Sequence, residues 1–491
     1  MRPQRRLEVR RGASGAAALL AGFILFSSPA QAQESEAALT WDAEPYPAHA
    51  NGEGAARGGF AAARWAEDWR PDAEAPRREN LAARLKYIRL GADPERYLTL
   101  SGNLRLRADA VSNPGLEDAP ARLQLLRRLH FGADLHWGED IRLFGELAHA
   151  RVDGDEAGAS PGTFHNRLAV QQAFAELRGE WGAVAAGVRV GRQEYTDGPA
   201  HLLSARDNSG VRSTMNGVRV WLRGSGSRIG LFDFRPTLYA RGGTADDRSD
   251  PARRFSGATF GVALGEAREL FLEPFVWRDQ NRLATWGADR GESDRYFGGA
   301  RLWGKTGRVA FDWSINRQWG RFGARPIAAW QLSGSQSVDL VQPVPLRVSM
   351  SFDYASGGNP RGDRMRTADA PFGNGTYLSY GLFLTPSNLL SVGAGLSGSP
   401  VASVRVAADY RRAWRASRDD AVYRSGGKAY RGTDLVEARR IADIARIEAQ
   451  WTMTPKASIT LRLERLQAGP ALREAGHAGS QVLSAWLALR F

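Results

Sequence analysis

The residues with the most chemistry to offer are arginines spaced two apart. In Tyr97–Asp109 the odd positions read Thr99, Ser101, Asn103, Arg105, Arg107 and Asp109, and the even positions Leu98, Leu100, Gly102, Leu104 and Leu106. Side chains alternate across a strand, so this spacing puts guanidinium groups on one face and leucines on the other. Arg128, Arg347, Arg405, Arg446 and Arg462 fall on the polar parity of their own runs in the same way. A guanidinium is a planar fork suited to carboxylates, and a wet, low-dielectric-walled channel lined with such forks concentrates anions. Of the 66 basic residues only Lys86, Lys305, Lys428 and Lys456 are lysines. Acidic residues on the same parity, among them Asp109, Asp353, Asp409, Glu448 and Glu464, offer internal ion pairs.

The elements that carry these arginines must be long strands. Leu123–Trp137 sets Leu125, Leu129, Phe131, Leu135 and Trp137 against Gln124, Arg128, His130, Asp134 and His136. Ile459, Leu461 and Leu463 oppose Ser458, Thr460, Arg462 and Glu464, and the chain closes on Leu483, Ala485, Leu487, Leu489 and Phe491 on one parity. Runs of ten or more residues exceed the usual strand of a soluble sandwich and match the tilted crossing of a bilayer. Eighteen such runs begin near 97, 123, 141, 167, 183, 217, 229, 256, 268, 295, 308, 326, 345, 388, 402, 441, 457 and 482, those near 256, 268 and 388 alternating poorly. Connections after even-numbered runs are tight, as at Gly138–Asp140 and Thr454–Lys456, and those after odd-numbered runs are mostly long, as at 194–216, 357–387 and 415–440. The expected fold is therefore all-β: an antiparallel transmembrane barrel of about 18 strands in a bacterial outer membrane, bathed in its lipid, with turns in the periplasm and loops outside. Phe491 would close the last strand at the periplasmic rim and be read there by the barrel assembly machinery.

Three segments follow. Residues 1–32 combine Arg2, Arg5, Arg6, Arg10 and Arg11 with a short apolar stretch and Ala30-Gln31-Ala32, which reads as a secretory signal peptide. Residues 33–95 lack alternation and form a periplasmic lead-in with a short helix near Glu79–Lys86, resting at the mouth of the barrel of residues 96–491. With 491 residues, no cysteine and a net charge of +13, the chain has no disulfide framework.

The long connection 194–216 carries Arg206, Asp207, Asn208 and Arg212, with Gly198, Gly210 and Gly217 allowing it to fold back. Inserted into the lumen it would narrow the passage and disperse opposite charges along it, admitting an anion without trapping it. Other signals carry less. His130, Asp134 and His136 share a face but read as luminal hydrogen-bonding groups, and Gly393–Gly398 as a glycine-rich strand end without the helix a dinucleotide site needs. Arg361-Gly362-Asp363 is a tripeptide common by chance. No nucleophile motif accompanies the seven histidines, so an enzyme is not expected, nor a cofactor, a metal or a nucleic-acid partner.

The stretch "RVGRQEYTDGPAHLLSARDNSGVRSTMNGVRV", Arg189–Val220, resembles the signature of the alginate export family of outer-membrane porins. So do "LKYIRLG", "YLTLSGNLRLR", "ARLWG", "IAAWQLS", "DYASGGNPRGD", "PSNLL" and "AWLALRF", in the family's order. The resemblance implies an eighteen-stranded barrel passing a polyuronate through an arginine-rich constriction. It maps Arg192 and Gln193 onto the family's "GRQ", Arg206 and Asp207 onto an Arg-acid pair, and Arg212 onto the first of two arginines, the second being Ser213 here; His201 stands where an arginine is common. The pore-lining set expected to bind an anionic polysaccharide or organic anion is thus Arg105, Arg107, Arg128, Arg192, Arg206, Asp207, Asn208, Arg212, Arg347 and Arg462. The alternative is a structural or adhesive surface barrel with a closed lumen.

Overall fold

The computed structural model describes residues 60–61, 63–70 and 81–491, apart from 157, 159, 183, 225, 266–268 and 341–344. The signal-peptide reading of 1–32 lies outside these residues. Eighteen long strands appear in chain order. The first six are β1 (Arg96–Val111), β2 (Arg122–Trp137), β3 (Ile141–Gly154), β4 (Asn166–Trp181), β5 (Val184–Gln193) and β6 (Met215–Gly224). Next come β7 (Ser227–Leu238), β8 (Arg253–Leu264), β9 (Leu270–Trp286), β10 (Asp289–Thr306), β11 (Val309–Phe322) and β12 (Arg325–Leu340). The last are β13 (Leu346–Ala355), β14 (Leu389–Val401), β15 (Val404–Trp414), β16 (Arg440–Thr454), β17 (Ala457–Ala468) and β18 (Ser480–Arg490). Each pairs antiparallel with the next, and β18 returns to β1 with Leu104 opposite Leu489 and Asp109 opposite Ser484. The sheet is a closed barrel, so its backbone polar groups are paired with no exposed edge.

Burial is inverted relative to a soluble domain. On β2, Leu125 and Leu129 are 59% and 50% exposed while Arg128 and His130 are 4% and 0% exposed. Only lipid around the barrel makes that arrangement favourable, since the outer leucines would otherwise face water and the inner charges are paired.

The final residue seals the seam. Phe491 donates its N–H to Gly102 O at 3.1 Å, and Gly102 N–H donates to Phe491 O at 3.1 Å. Gly102 makes room for that ring: a Cβ there would come within 2.0 Å of Phe491 Cε1, so the ring would have to move.

The strands that alternate poorly have a physical reason to. β8 carries Phe255, β9 carries Phe275 and Trp277, and β7 carries Phe232 and Phe234, all buried inside the barrel in one apolar cluster with Phe297 of β10. Apolar side chains on both faces erase the alternation there. On β14, Leu389 is buried in a second apolar cluster at the loop end of the barrel.

Two long connections fold inward. Residues 194–214 and 356–388 meet inside the barrel, where Ser204 N–H donates to Phe372 O at 2.9 Å and Phe372 N–H to Leu202 O at 3.2 Å. Tyr195, Leu202, Leu203 and Phe372 pack on the aromatic wall of β7–β10. In the lead-in, a helix spans Leu81–Lys86, and Arg64 and Trp65 contact the luminal face of β3–β5.

Candidate functional site

The site begins with a turn. Arg206 adopts a left-handed φ of 56°, unusual for a residue with a side chain, and its carbonyl accepts from Ser209 N–H at 3.2 Å and Ser209 Oγ at 2.8 Å. This turn projects Asp207 from the inserted loop toward the luminal face of β1 and β2.

Three guanidiniums converge on that carboxylate. Arg105 of β1 donates to Asp207 Oδ2 through Nη2 and to Asp207 O through Nη1 at 2.8 Å. Arg128 of β2 reaches Asp207 Oδ1 at 2.9 Å, and Arg212 Nε reaches the same oxygen at 2.7 Å. Arg107 pairs with Asp109 at 2.6 Å and donates to Asn208 Oδ1 at 2.7 Å. Arg212 Nη1 also pairs with Glu194 Oε2 at 3.1 Å, joining both ends of the loop. The electrostatics of the turn follow. Desolvation inside the barrel works against the ionised Asp207, although half of its side chain stays open to the lumen, but Arg128, Arg212 and Arg105 outweigh it and hold this carboxyl well below the usual carboxylate range. Burial likewise opposes the charge on Arg212, and the carboxylates of Asp207 and Glu194 outweigh it, holding Arg212 above its ordinary value.

A cavity of about 400 Å³ opens beside this cluster. It is lined by Arg105, Arg128, Asp207 and Arg212 and runs along β16–β18 to the short turn at Pro455 and Lys456. On its far wall Arg462 pairs with Glu448, and its guanidinium sits 4.7 Å from the Tyr380 ring and 4.8 Å from the Trp486 ring.

Not every expected pore residue is here. Arg105, Arg107, Arg128, Asp207, Asn208 and Arg212 are brought together, with Arg462 across the cavity. Arg206 is turned the other way, donating to Gly373 O and Pro371 O at 3.1 Å each and tying the two inserted loops together. Burial lowers its pKa to about 10, with Arg253 adding to the effect and Asp369 opposing it. Arg347 has luminal parity on β13 but is paired with Asp339 at 2.6 Å and does not line the cavity beside Asp207. Arg192 is a correction: it shares the parity of outward-facing Val190, which is 55% exposed, and bonds Asn216 Oδ1 at 3.0 Å and Val170 O at 2.9 Å on the outer side. A single residue's shift in register moves a side chain from lumen to outer face, and Gly191-Arg192-Gln193 puts Gln193 inside instead.

Other residues of the site escape a reading by parity of arginines. Glu146 shares the buried parity of Arg142 and Phe144 on β3; Arg64 sits in the lead-in, where nothing in the local pattern signals it. His136 lies 3.3 Å from Asp134 Oδ2, Arg142 lies 3.1 Å from Asp134 Oδ1, and His130 Nε2 lies 3.0 Å from Gly210 O, so these groups are engaged within the protein.

The geometry agrees with the comparisons. A family model described as alginate export matches residues 96–485. This chain belongs to the alginate export family. No curated protein matches it. Among solved structures it is similar to Pseudomonas aeruginosa OccK2 (OpdF), with 10% identity and a TM-score of 0.54, covering 80% of this chain and 97% of that one. It is also similar to Pseudomonas aeruginosa OccD3 (OpdP), with 12% identity, a TM-score of 0.55 and coverage of 83% and 93%. OccK2 in complex with glucuronate matches at 10% identity and a TM-score of 0.52, covering 80% and 98%. At these identities the likeness is one of fold. Family membership and the porin fold make this alginate export family member an outer-membrane β-barrel transport channel rather than an enzyme.

Proposed function

We propose that the lumen passes an anionic polysaccharide of the polyuronate class, or related organic anions, through its arginine-lined constriction. The observation that carries this is the convergence of Arg105, Arg128 and Arg212 on the one carboxylate of Asp207, beside the cavity that leads to the periplasmic rim. Asp207 is the carboxylate that a passing uronate would imitate, and its side chain is 51% exposed, so incoming anions can compete for the same guanidiniums. Sharing one acceptor among three donors keeps each contact replaceable, which favours passage over capture. The family's described role in alginate export and the glucuronate held by OccK2 are consistent with this chemistry.

Export through the barrel also needs a leader and an assembly signal. In this reading residues 1–32 direct the chain to the periplasm, and Phe491 with Leu489 and Leu487 engages the assembly machinery. Deleting Phe491 removes the pairing with Gly102 and should leave the protein in the periplasm without the heat-modifiable mobility of a folded barrel.

The test of the transport reading is reversal potential in planar bilayers under a salt gradient, followed by addition of uronate oligomers. Anion preference at low salt and block of current by uronates are expected, and the preference should weaken as salt shortens the Debye length to ~3 Å at 1 M. Cation preference, or indifference to uronates, overturns it. The second reading, a closed adhesive barrel, draws on the apolar packing of Leu378, Phe383 and Leu384 with Leu389 and Val422 at the loop end. Absence of any conductance would favour that reading.

A further inference from the structure

We propose that the lead-in segment is a working part of the channel: residues 60–61 and 63–70 occupy the periplasmic half of the lumen, and Arg64 adds a positive charge at the Asp207 constriction. The segment is anchored inside the barrel. Arg64, 7% exposed, forks onto Glu146 with Nε at 2.5 Å and Nη2 at 2.6 Å, and lies 3.5 Å from Glu194. Trp65 is buried edge-on against Phe174 at 6.2 Å, and the Arg189 guanidinium lies 3.9 Å from its ring. A second anchor holds the outer end: Glu67 accepts from Trp69 Nε1 at 2.9 Å and Lys86 Nζ at 3.3 Å, and Phe60 packs 4.8 Å from the Arg490 guanidinium. A bidentate buried ion pair and a buried tryptophan are expensive to abandon, so this is the resting position of the segment.

The charge count makes the segment more than an obstruction. Through Glu194, Arg64 is connected to Arg212, and through Arg212 to Asp207, Arg105 and Arg128. Within this set the barrel and its loop contribute Arg105, Arg128 and Arg212 against Asp207, Glu194 and Glu146, which balance. Among the described residues Arg64 adds one positive charge to this set, and Lys456 and Arg490 add theirs farther along the same cavity. The neighbouring pairs Arg107–Asp109, Arg189–Glu176 and Arg462–Glu448 each cancel internally. Among the described residues His130, 3.2 Å from Glu146, is the remaining titratable group facing Arg64's partner, and above the ordinary imidazole range it adds nothing. Phe60, Ala61, Arg64 and Glu67 line the cavity itself, so the same segment also takes up cross-section.

This inference rests on the anion-channel reading, and its test separates the two. The full-length protein, Arg64→Gln, and a deletion of residues 34–70 would be compared in planar bilayers at pH 8 and ~0.01 M salt, where the Debye length of roughly 30 Å keeps a single charge visible. Heat-modifiable mobility checks folding. Arg64→Gln is expected to lower the anion-to-cation permeability ratio severalfold at near-parental conductance, with Arg64→Lys restoring the ratio. The deletion should lower the ratio equally and raise the conductance. An anion-selective parent whose ratio survives both changes overturns the role of Arg64 and leaves the transport reading intact, and unchanged conductance in the folded deletion overturns the occupancy of the lumen. A cation-selective parent instead overturns the transport reading. If the deletion does not assemble, the permeability ratio of Arg64→Gln alone decides the proposal.

Discussion

The two walls of the lumen are built differently. Along β1–β5 the inward faces carry Arg105, Arg128, His130, Arg142, Glu146, Glu176 and Arg189; along β7–β10 they carry Phe232, Phe234, Phe255, Phe275, Trp277 and Phe297. Both are buried inside one barrel, yet only the first borders the cavity at Asp207. The aromatic wall is covered by the inserted loops, through Tyr195, Leu202, Leu203 and Phe372. Its apolar face gives those loops a bed to fold onto, and the passage is thereby displaced toward the charged wall and β16–β18. The lesson is that one wall fixes where the loop goes and the other fixes what the loop does with its charge.

The largest way to break this comparison is to remove the bed. Phe255 touches Phe232, Trp277 and Phe372 with ring centroids 4.8, 5.9 and 4.9 Å away. Phe255→Ala should cost about 3–5 kcal/mol, as for large-to-small changes in packed cores, and release the loops. Urea unfolding in detergent followed by tryptophan fluorescence measures the first, and noisy, enlarged single-channel currents report the second. Parental stability and quiet currents would mean that the loops hold themselves in place.

Next is the charge that the loop delivers. Asp207→Asn leaves Arg105, Arg128 and Arg212 without their shared anion, so anion preference should rise severalfold in reversal-potential measurements while the loop loosens. The pH dependence follows from the sign of the shift. Asp207 is held below its unfolded value of about 3.9, so its stabilisation is complete above that pH and is lost only as pH falls through the lower native value. Asp207 should therefore stay ionised from pH 7 to pH 5, and the parent and Asp207→Asn should show the same shape of conductance profile over that range; a transition there that Asp207→Asn abolishes would contradict the three-arginine arrangement.

A finer cut compares two arginines of one loop. Arg212→Gln should lower anion preference severalfold, because Arg212 faces the cavity. Arg206→Gln should leave selectivity alone and instead speed protease cleavage within 194–214, because its donors go to Gly373 O and Pro371 O. Equal effects of the two on selectivity would put both in the pore.

The smallest effect belongs to the outer face. Arg192→Gln alters bonds to Asn216 and Val170 outside the lumen, so reversal potential should match the parent and stability should change by about 1 kcal/mol or less. Any loss of selectivity would move Arg192 back among the pore residues.

Alternation together with the pattern of short and long connections determined the barrel, a count of about eighteen strands and the inward parity of Arg105, Arg107, Arg128 and Arg462, since lipid outside and water inside impose a period of two on every crossing. Where the lumen is aromatic, as on β8 and β9, that signal faded because both faces are apolar. The length, charges and glycines of 194–216 already pointed to an inserted loop carrying Arg206, Asp207, Asn208 and Arg212, and the family resemblance added Arg192 to the pore. Only the tertiary structure decided the directions of the Arg192 and Arg206 side chains, the meeting of residues 194–214 with 356–388, and the reach of Arg64 to Glu146. The reason is physical: a strand's faces follow from neighbours two residues away, whereas a loop's destination depends on partners more than a hundred residues distant, such as Arg105 and Asp207, whose attraction has no trace in the local pattern.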